Sequence, residues 1–345
     1  MNSFTFSNKT LCFGEALIRL SPHGNQRIEQ TEDLQLFVEG AEAMTALSLA
    51  SQGERVAYMT TISDNRLAKK VVMTLAGAGI DLSRVQQVPG RMGLFYFERG
   101  SGERPANVVY DRNNTPITLL SRSDFDWDSL LNGIDSFYFS GTLAAINAEL
   151  RLALLDALHA CKGRGIQTFC DLNFRSRMWT VEEARQSWNE FLPFIDVCIA
   201  NDEDIWSLFP QAGIMPNKIT TLGFLDYYRD VAQDLTMKFG CHTVAIEIRS
   251  LATSGIGRWS ALLYKDGTFA YAGPREIMSG EHSGCGDSFA AGIIHGIHKA
   301  WVADEIITYA LTSSVLKASI PGSINYLSSE EIHAATHTMR TIVDY

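Results

Sequence analysis

One seven-residue stretch carries the strongest chemical signal in the chain: Ser283-Gly284-Cys285-Gly286-Asp287-Ser288-Phe289. Two glycines precede an acidic residue, and Phe289, Ile293 and Ile297 then recur at helical spacing. Glycines at a helix start let backbone N–H groups converge on an anion, and the helix dipole favours negative charge there. Gly284, Cys285 and Gly286 are therefore candidate anion binders, and Asp287 is a candidate base at the positive end. The same residues also read as turn glycines followed by a plain N-cap. Phosphoryl transfer is the chemistry that would use such a pair. It needs a cradle for developing charge, a Mg²⁺ between phosphate oxygens and an aligned nucleophile. A carboxylate is the natural acceptor for the nucleophile's proton. Arg112 and Arg175 can each fork onto a carboxylate or a phosphate, although a lone arginine also reads as a structural ion pair.

These groups must be positioned by a scaffold, and a repeated unit supplies one. Short β-type runs end in polar residues and are followed by helical stretches. Ser136–Thr142 is one run, and Leu150, Leu154, Leu158 and Cys161 after it recur at helical spacing until Gly163 and Gly165 stop the helix. Ile166–Asp171 predicts the next strand, Thr180–Phe191 a helix, and Val197–Ala200 and Thr243–Ile248 two further strands. This alternation predicts an α/β fold with a largely parallel sheet covered by helices on both faces. Ligands of such sheets gather beyond the carboxyl ends of the strands. Asp171, Asn173, Arg175, Asn201 and Asp204 stand there.

Two regions break the rhythm. Leu17–Val38 and Arg91–Arg112 hold short alternating stretches separated by polar turns, which signals antiparallel strands. They predict a small β-sheet inserted in two pieces, residues 14–38 and 91–112, that serves as a lid. Residues 1–13, 39–90 and 113–345 then form the nucleotide- and substrate-binding core.

Composition narrows the function classes. The 345 residues are 46% hydrophobic and 20% charged, too apolar for intrinsic disorder. With 29 basic against 39 acidic residues, the formal charge is -10 and no basic stripe stands out, so no nucleic-acid partner is expected. No apolar run approaches a membrane span, and residues 1–20 lack a signal-peptide layout, so a cytoplasmic protein without membrane contact is expected. Of the six cysteines, none forms a CxxC pair. GxxxxGK[ST], a complete GxGxxG, GxSxG and HExxH are all missing. His333 with His337, and His295 with His298, read as helix packing or a solvated face rather than metal ligands, and no direct protein metal site is expected.

From about Phe13 to about Glu331 the chain resembles the ribokinase-like (PfkB) carbohydrate kinases, most closely the 2-keto-3-deoxygluconate kinases. The most specific part is Gly284–Asp287 running into Phe289-Ala290-Ala291-Gly292. The resemblance implies that this segment binds the phosphates of ATP and that Asp287 is the base. Asp171-Leu172-Asn173-Phe174-Arg175, followed by Trp179, resembles the family's strand end and implies a substrate role for Arg175. Val109-Tyr110-Asp111-Arg112 resembles the lid segment, which makes Tyr110 and Arg112 substrate candidates. Gly40-Ala41-Glu42 resembles the motif that backs the sugar, which points to Gly40. Asn201-Asp202-Glu203-Asp204 falls where the family keeps Asn-x-x-Glu, so Asn201 and Asp204 are expected near the Mg²⁺–phosphate region. The implied activity is ATP- and Mg²⁺-dependent phosphorylation of a sugar acid. A neutral-sugar kinase such as a fructokinase, or a non-catalytic binding relative, is the alternative. The resemblance and the uncovered strand edges also imply a homodimer through the lid sheet.

Several positions depart from the family pattern. Glu39 precedes Gly40 where a second glycine is usual, Met44 replaces an Asn, and Phe95 replaces a Tyr. Glu281 and Asp204 exchange Asp and Glu relative to the pattern, and Cys285 replaces a smaller residue. The stretch Arg249–Ser260 has unfamiliar spacing and carries no assignment.

Overall fold

Runs of β-branched, aromatic and other apolar residues, each closed by polar residues, form thirteen strands in the computed structural model, which describes residues 8–101, 103–210, 221–251, 256–278 and 282–338. In chain order they are β1 (Lys9–Phe13), β2 (Leu17–Ser21), β3 (Gln35–Glu39), β4 (Arg55–Ser63), β5 (Asp81–Val88), β6 (Leu94–Glu98), β7 (Asn107–Asp111), β8 (Ser136–Ser140), β9 (Gln167–Asp171), β10 (Val197–Asn201), β11 (Thr243–Leu251), β12 (Ile256–Lys265) and β13 (Thr268–Met278). Nine of them build one sheet in the order β13-β12-β11-β10-β9-β8-β1-β4-β5. The pairs from β5 through to β11 all run parallel, and β12 and β13 complete the edge as antiparallel strands.

Alternation along the strands splits the core into two layers. Leu11, Phe13, Phe137, Phe139 and Cys170 point to one face, beneath the helices Ala148–Arg164 and Val181–Phe191. Cys12, Tyr58, Tyr138 and Phe169 point to the other, beneath Ala41–Ser51 and Cys285–His298. The helix-on-both-faces α/β architecture expected from the sequence is therefore present. Helix Ala148–Arg164 runs through Gly163 and stops at Gly165, whose φ of +68° gives the left-handed cap. Gly163 is thus an interior residue of the last turn, not a terminator.

The small sheet has the order β3-β2-β6-β7. Its outer pairs are antiparallel, and its central pair, β2 with β6, is parallel. β2 follows the carboxyl end of β1 and β6 follows the carboxyl end of β5, and β1 and β5 run in the same direction in the main sheet. One row across this sheet is Phe37-Arg19-Phe95-Tyr110, and the next is Leu36-Leu20-Tyr96-Val109. Adjacent rows face opposite sides. The first row looks toward the main sheet, because Arg19 reaches Ser283 and Phe37 packs beside Gly322.

At the far end of helix Cys285–His298, His295 and His298 both bind buried Glu54, at 2.8 and 3.2 Å. They pack the fold, as the sequence suggested. Among the described residues no group of three or more His, Cys, Asp or Glu side chains is arranged to hold a metal, and no helix is long and apolar enough to cross a membrane.

Candidate active site

The glycine turn forms because no other residue fits it. Gly284 is the N-cap of helix Cys285–His298 with φ +78°, and a Cβ there would fall on the Ser323 carbonyl oxygen. Two turns further on, Gly292 lets the helix press against Ala310, whose Cα would lie 2.6 Å from a Cβ. The first helical turn then leaves amides without intrahelical acceptors. The Cys285 amide is used locally, donating to the His282 carbonyl at 3.3 Å. The amides of Gly286 and Asp287 are the first-turn donors with no helical partner, at the positive end of the helix dipole.

Asp287 stands in this turn, half-buried, amid other acids. Burial pushes its carboxyl up to about 8, Glu39 and Glu42 push the same way, and Arg175 and Arg249 pull it down. Glu42 is itself raised to about 7 by burial, against hydrogen bonds from the Ser140 amide at 3.0 Å and hydroxyl at 2.6 Å. Asp171, at the end of β9, is raised by burial and by its neighbours Asp204 and Asp287, while Arg175 and a 3.1 Å hydrogen bond from Asn173 oppose the shift. Perturbed carboxyls concentrated near the carboxyl ends of parallel strands make this the candidate functional site.

The sugar-side candidates converge on the same edge. Gly40 caps helix Ala41–Ser51 with φ +129°, and a Cβ there would strike the Glu15 carbonyl oxygen. Met44, one turn on, is buried. Tyr110 lies beside Phe95, rings 5.8 Å apart, on the inward face of the small sheet. Arg112 lies against Tyr110 but is engaged: it pairs with buried Glu15, and its Nη1 donates to Met178 Sδ at 3.2 Å. Arg175 differs. It is exposed, close enough to lower the carboxyls of Asp171, Asp204 and Asp287, and no hydrogen bond or ion pair among the described residues engages its guanidinium.

Asn201 and Asp204 form a reciprocal helix cap. The Asp204 amide donates to Asn201 Oδ1 at 3.0 Å, and Asp204 accepts from the amides of Asn201 at 3.1 Å and Phe174 at 2.7 Å. Asp204 is 1% exposed, so it supports the strand ends from beneath. Burial raises it to about 6. Glu281 lies outside the described residues.

Two arginines had no motif to announce them. Arg19, fully buried, pairs with Glu39 at 3.1 Å and donates to Ser283 at 3.1 Å, so it ties the small sheet to the glycine turn. A charged residue amid the apolar alternation Leu17-Ile18-Arg19-Leu20 was the available signal. Arg249, near the end of β11, brings Nη2 to 3.2 Å from where a Gly286 Cβ would be. It belongs to the stretch that the sequence left unassigned.

The pattern of the pfkB family carbohydrate kinases matches residues 7–330. This chain belongs to that family. As a pfkB carbohydrate kinase it is a phosphotransferase acting on a sugar hydroxyl. Its relatives include a 2-dehydro-3-deoxygalactonokinase of Haloferax volcanii, 25% identical over 93% of this chain and 94% of that protein. The crystal structure of 2-dehydro-3-deoxygluconokinase from Thermotoga maritima is 33% identical, superimposes with a TM-score of 0.89, and covers 95% of this chain and 98% of that one. A PfkB family carbohydrate kinase from Listeria grayi is 26% identical, with a TM-score of 0.87, and covers 95% and 99%. The fold and the sugar-acid class of kinase read from the sequence agree with these likenesses.

Proposed function

We propose that this pfkB kinase transfers the γ-phosphate of ATP to the primary hydroxyl of a 2-keto-3-deoxy sugar acid. The observation that carries the acid specificity is Arg175. It is a guanidinium lying near carboxyls with no ion-pair partner among the described residues, so an incoming carboxylate would complete it. Arg112 supports the same anion indirectly. Its own charge is offset by Glu15, and it joins the small sheet to the turn after β1.

Asp287 accepts the hydroxyl proton. The free amides of Gly286 and Asp287, at the helix tip, hold the phosphate oxygens. Gly40 gives the sugar a backbone surface that no side chain obstructs, and Tyr110 and Phe95 close the wall above it. The first-turn amides fit a nucleotide carrying its own Mg²⁺, which keeps waters and binds through phosphates. When bound, that ion would neutralise charge on the transferring group. Asn201 and Asp204, which fix the end of β10 and the Phe174 amide, would support the residues around that ion. Closure of the small sheet excludes water, a competing acceptor.

The neutral-sugar alternative leaves Arg175 with no anion, and the non-catalytic alternative leaves a raised carboxyl in the helix tip with no task. Six free, buried thiols fit the reducing cytoplasm. The outward row Leu36-Leu20-Tyr96-Val109 fits a homodimer through the small sheet. A coupled assay with 2-keto-3-deoxygluconate, its galactonate epimer and fructose tests the acceptor. One charge-assisted contact predicts about 10–10²-fold higher kcat/KM for the acids. Equal turnover of fructose overturns acid specificity.

A further inference from the structure

We propose that Arg249 grips the γ-phosphate of the nucleotide against the amides of Gly286 and Asp287, acting as a fixed internal cation supplied by β11. This deepens the phosphotransferase reading and rests on it.

The placement comes first. Nη2 of Arg249 would lie 3.2 Å from a Cβ on Gly286, so the guanidinium rests directly against the bare backbone of the turn. An anion received by the first-turn amides would meet it at once. The side chain is also held still. Nε donates to Glu247 Oε2 at 2.9 Å, and Nη2 donates to the same oxygen. Glu247 is buried and receives the Ser314 hydroxyl at 2.5 Å from helix Ala303–Lys317. The guanidinium carbon sits 4.7 Å from the centre of the Trp259 ring. A cation clamped by a carboxylate and an aromatic face needs no rearrangement as charge develops.

Glu247 occupies only one side of the fork. Nη1 makes no hydrogen bond among the described residues, and the side chain is 31% exposed. A planar guanidinium can hold a carboxylate on one edge and present further N–H donors to a phosphate on another, which an ammonium cannot match. Its field already reaches the base, since Arg249 is among the groups that pull the Asp287 carboxyl down. The competing account is that Arg249 only compensates buried Glu247. That account gives no reason for the guanidinium to lie on the glycine turn, but it makes distinct predictions.

The test compares Mg-ATP and Mg-ADP binding by calorimetry, and steady-state kinetics, for the full chain and for Arg249→Ala, Arg249→Lys and Asp287→Asn. Arg249→Ala should weaken ATP by about 10–10²-fold while leaving ADP within about threefold, and lower kcat with the sugar KM unchanged. Arg249→Lys should recover part of the ATP preference and little of kcat. If Arg249→Ala fails to fold because Glu247 is stranded, Arg249→Ala/Glu247→Gln removes both charges and must show the same loss of ATP-over-ADP preference. Equal weakening of ATP and ADP, or unchanged binding with only a lower melting temperature, overturns the assignment. The parent reading fails separately: it falls if the unaltered protein binds no ATP or if Asp287→Asn keeps its turnover.

Discussion

Asp287 carries opposing demands in one side chain. In the fold its carboxyl is raised to about 8, chiefly by burial and then by Glu39. A general base works only when ionised, so kcat/KM should climb as pH rises toward about 8 and level off above it. Asp287→Asn should lose on the order of 10²–10⁴-fold in turnover and flatten that profile. Stability runs the other way. The unfolded chain releases this proton near the ordinary value of 3.8, whereas the fold retains it to about 8, so between those values stability falls as pH rises. The Asn variant should therefore melt higher than the parent by a margin that widens from pH 5 to 8; a constant margin would contradict the raised carboxyl. Asp287 was legible because its neighbours in sequence are its neighbours in function. Arg249 was not, because the glycine turn it touches lies far along the chain. Nor was the capture of Arg112 by Glu15, a partner 97 residues away.

At the scale of elements, two glycines make opposite predictions. Gly284 has φ +78° and no room for a Cβ beside Ser323, so Gly284→Ala should cost about 1–3 kcal/mol and dislodge the helix tip. Mg-ATP affinity should fall with the melting temperature. Gly163 sits inside helix Ala148–Arg164 with nothing within 4 Å of a Cβ, so Gly163→Ala should stabilise by about 0.5–1 kcal/mol without touching activity. Differential scanning calorimetry of the pair checks both signs. The sequence marked both glycines as punctuation. Only the backbone dihedrals distinguished the obligatory one from the passive one. The Asn201–Asp204 pair teaches a similar lesson. A motif placed it near the phosphate site, and the structure gives it a local task, capping helix Asp202–Leu208 and fixing Phe174 ahead of Arg175.

For the whole molecule, the small sheet is the element with two clients. Its inward row, Phe37-Arg19-Phe95-Tyr110, faces the cleft, and its outward row, Leu36-Leu20-Tyr96-Val109, is apolar. Leu36 and Val109 are 41% and 50% exposed. Such a row on a sheet with open edges is a liability that pairing with a second copy would cover. Light scattering should report a dimer at micromolar concentration, and the double variant Leu36→Glu/Val109→Lys should shift it toward monomer. A monomeric parent protein would remove this prediction. Because Arg19 and Glu39 link the sheet to Ser283 and Ser323, loss of the dimer should raise the sugar KM more than it lowers ADP affinity.

Local sequence determined the parallel α/β core, the glycine-led helix tip and the acid within it, because periodicity, turn chemistry and helix capping act over a few residues. Tertiary structure alone decided which charges are spent and which stay available. Arg112 closes on Glu15, Arg249 is clamped by Glu247 against Trp259, and Arg175 is left open. The physical reason is that ion pairing and burial depend on distance in space. In a parallel sheet every crossover brings together side chains that are far apart along the chain.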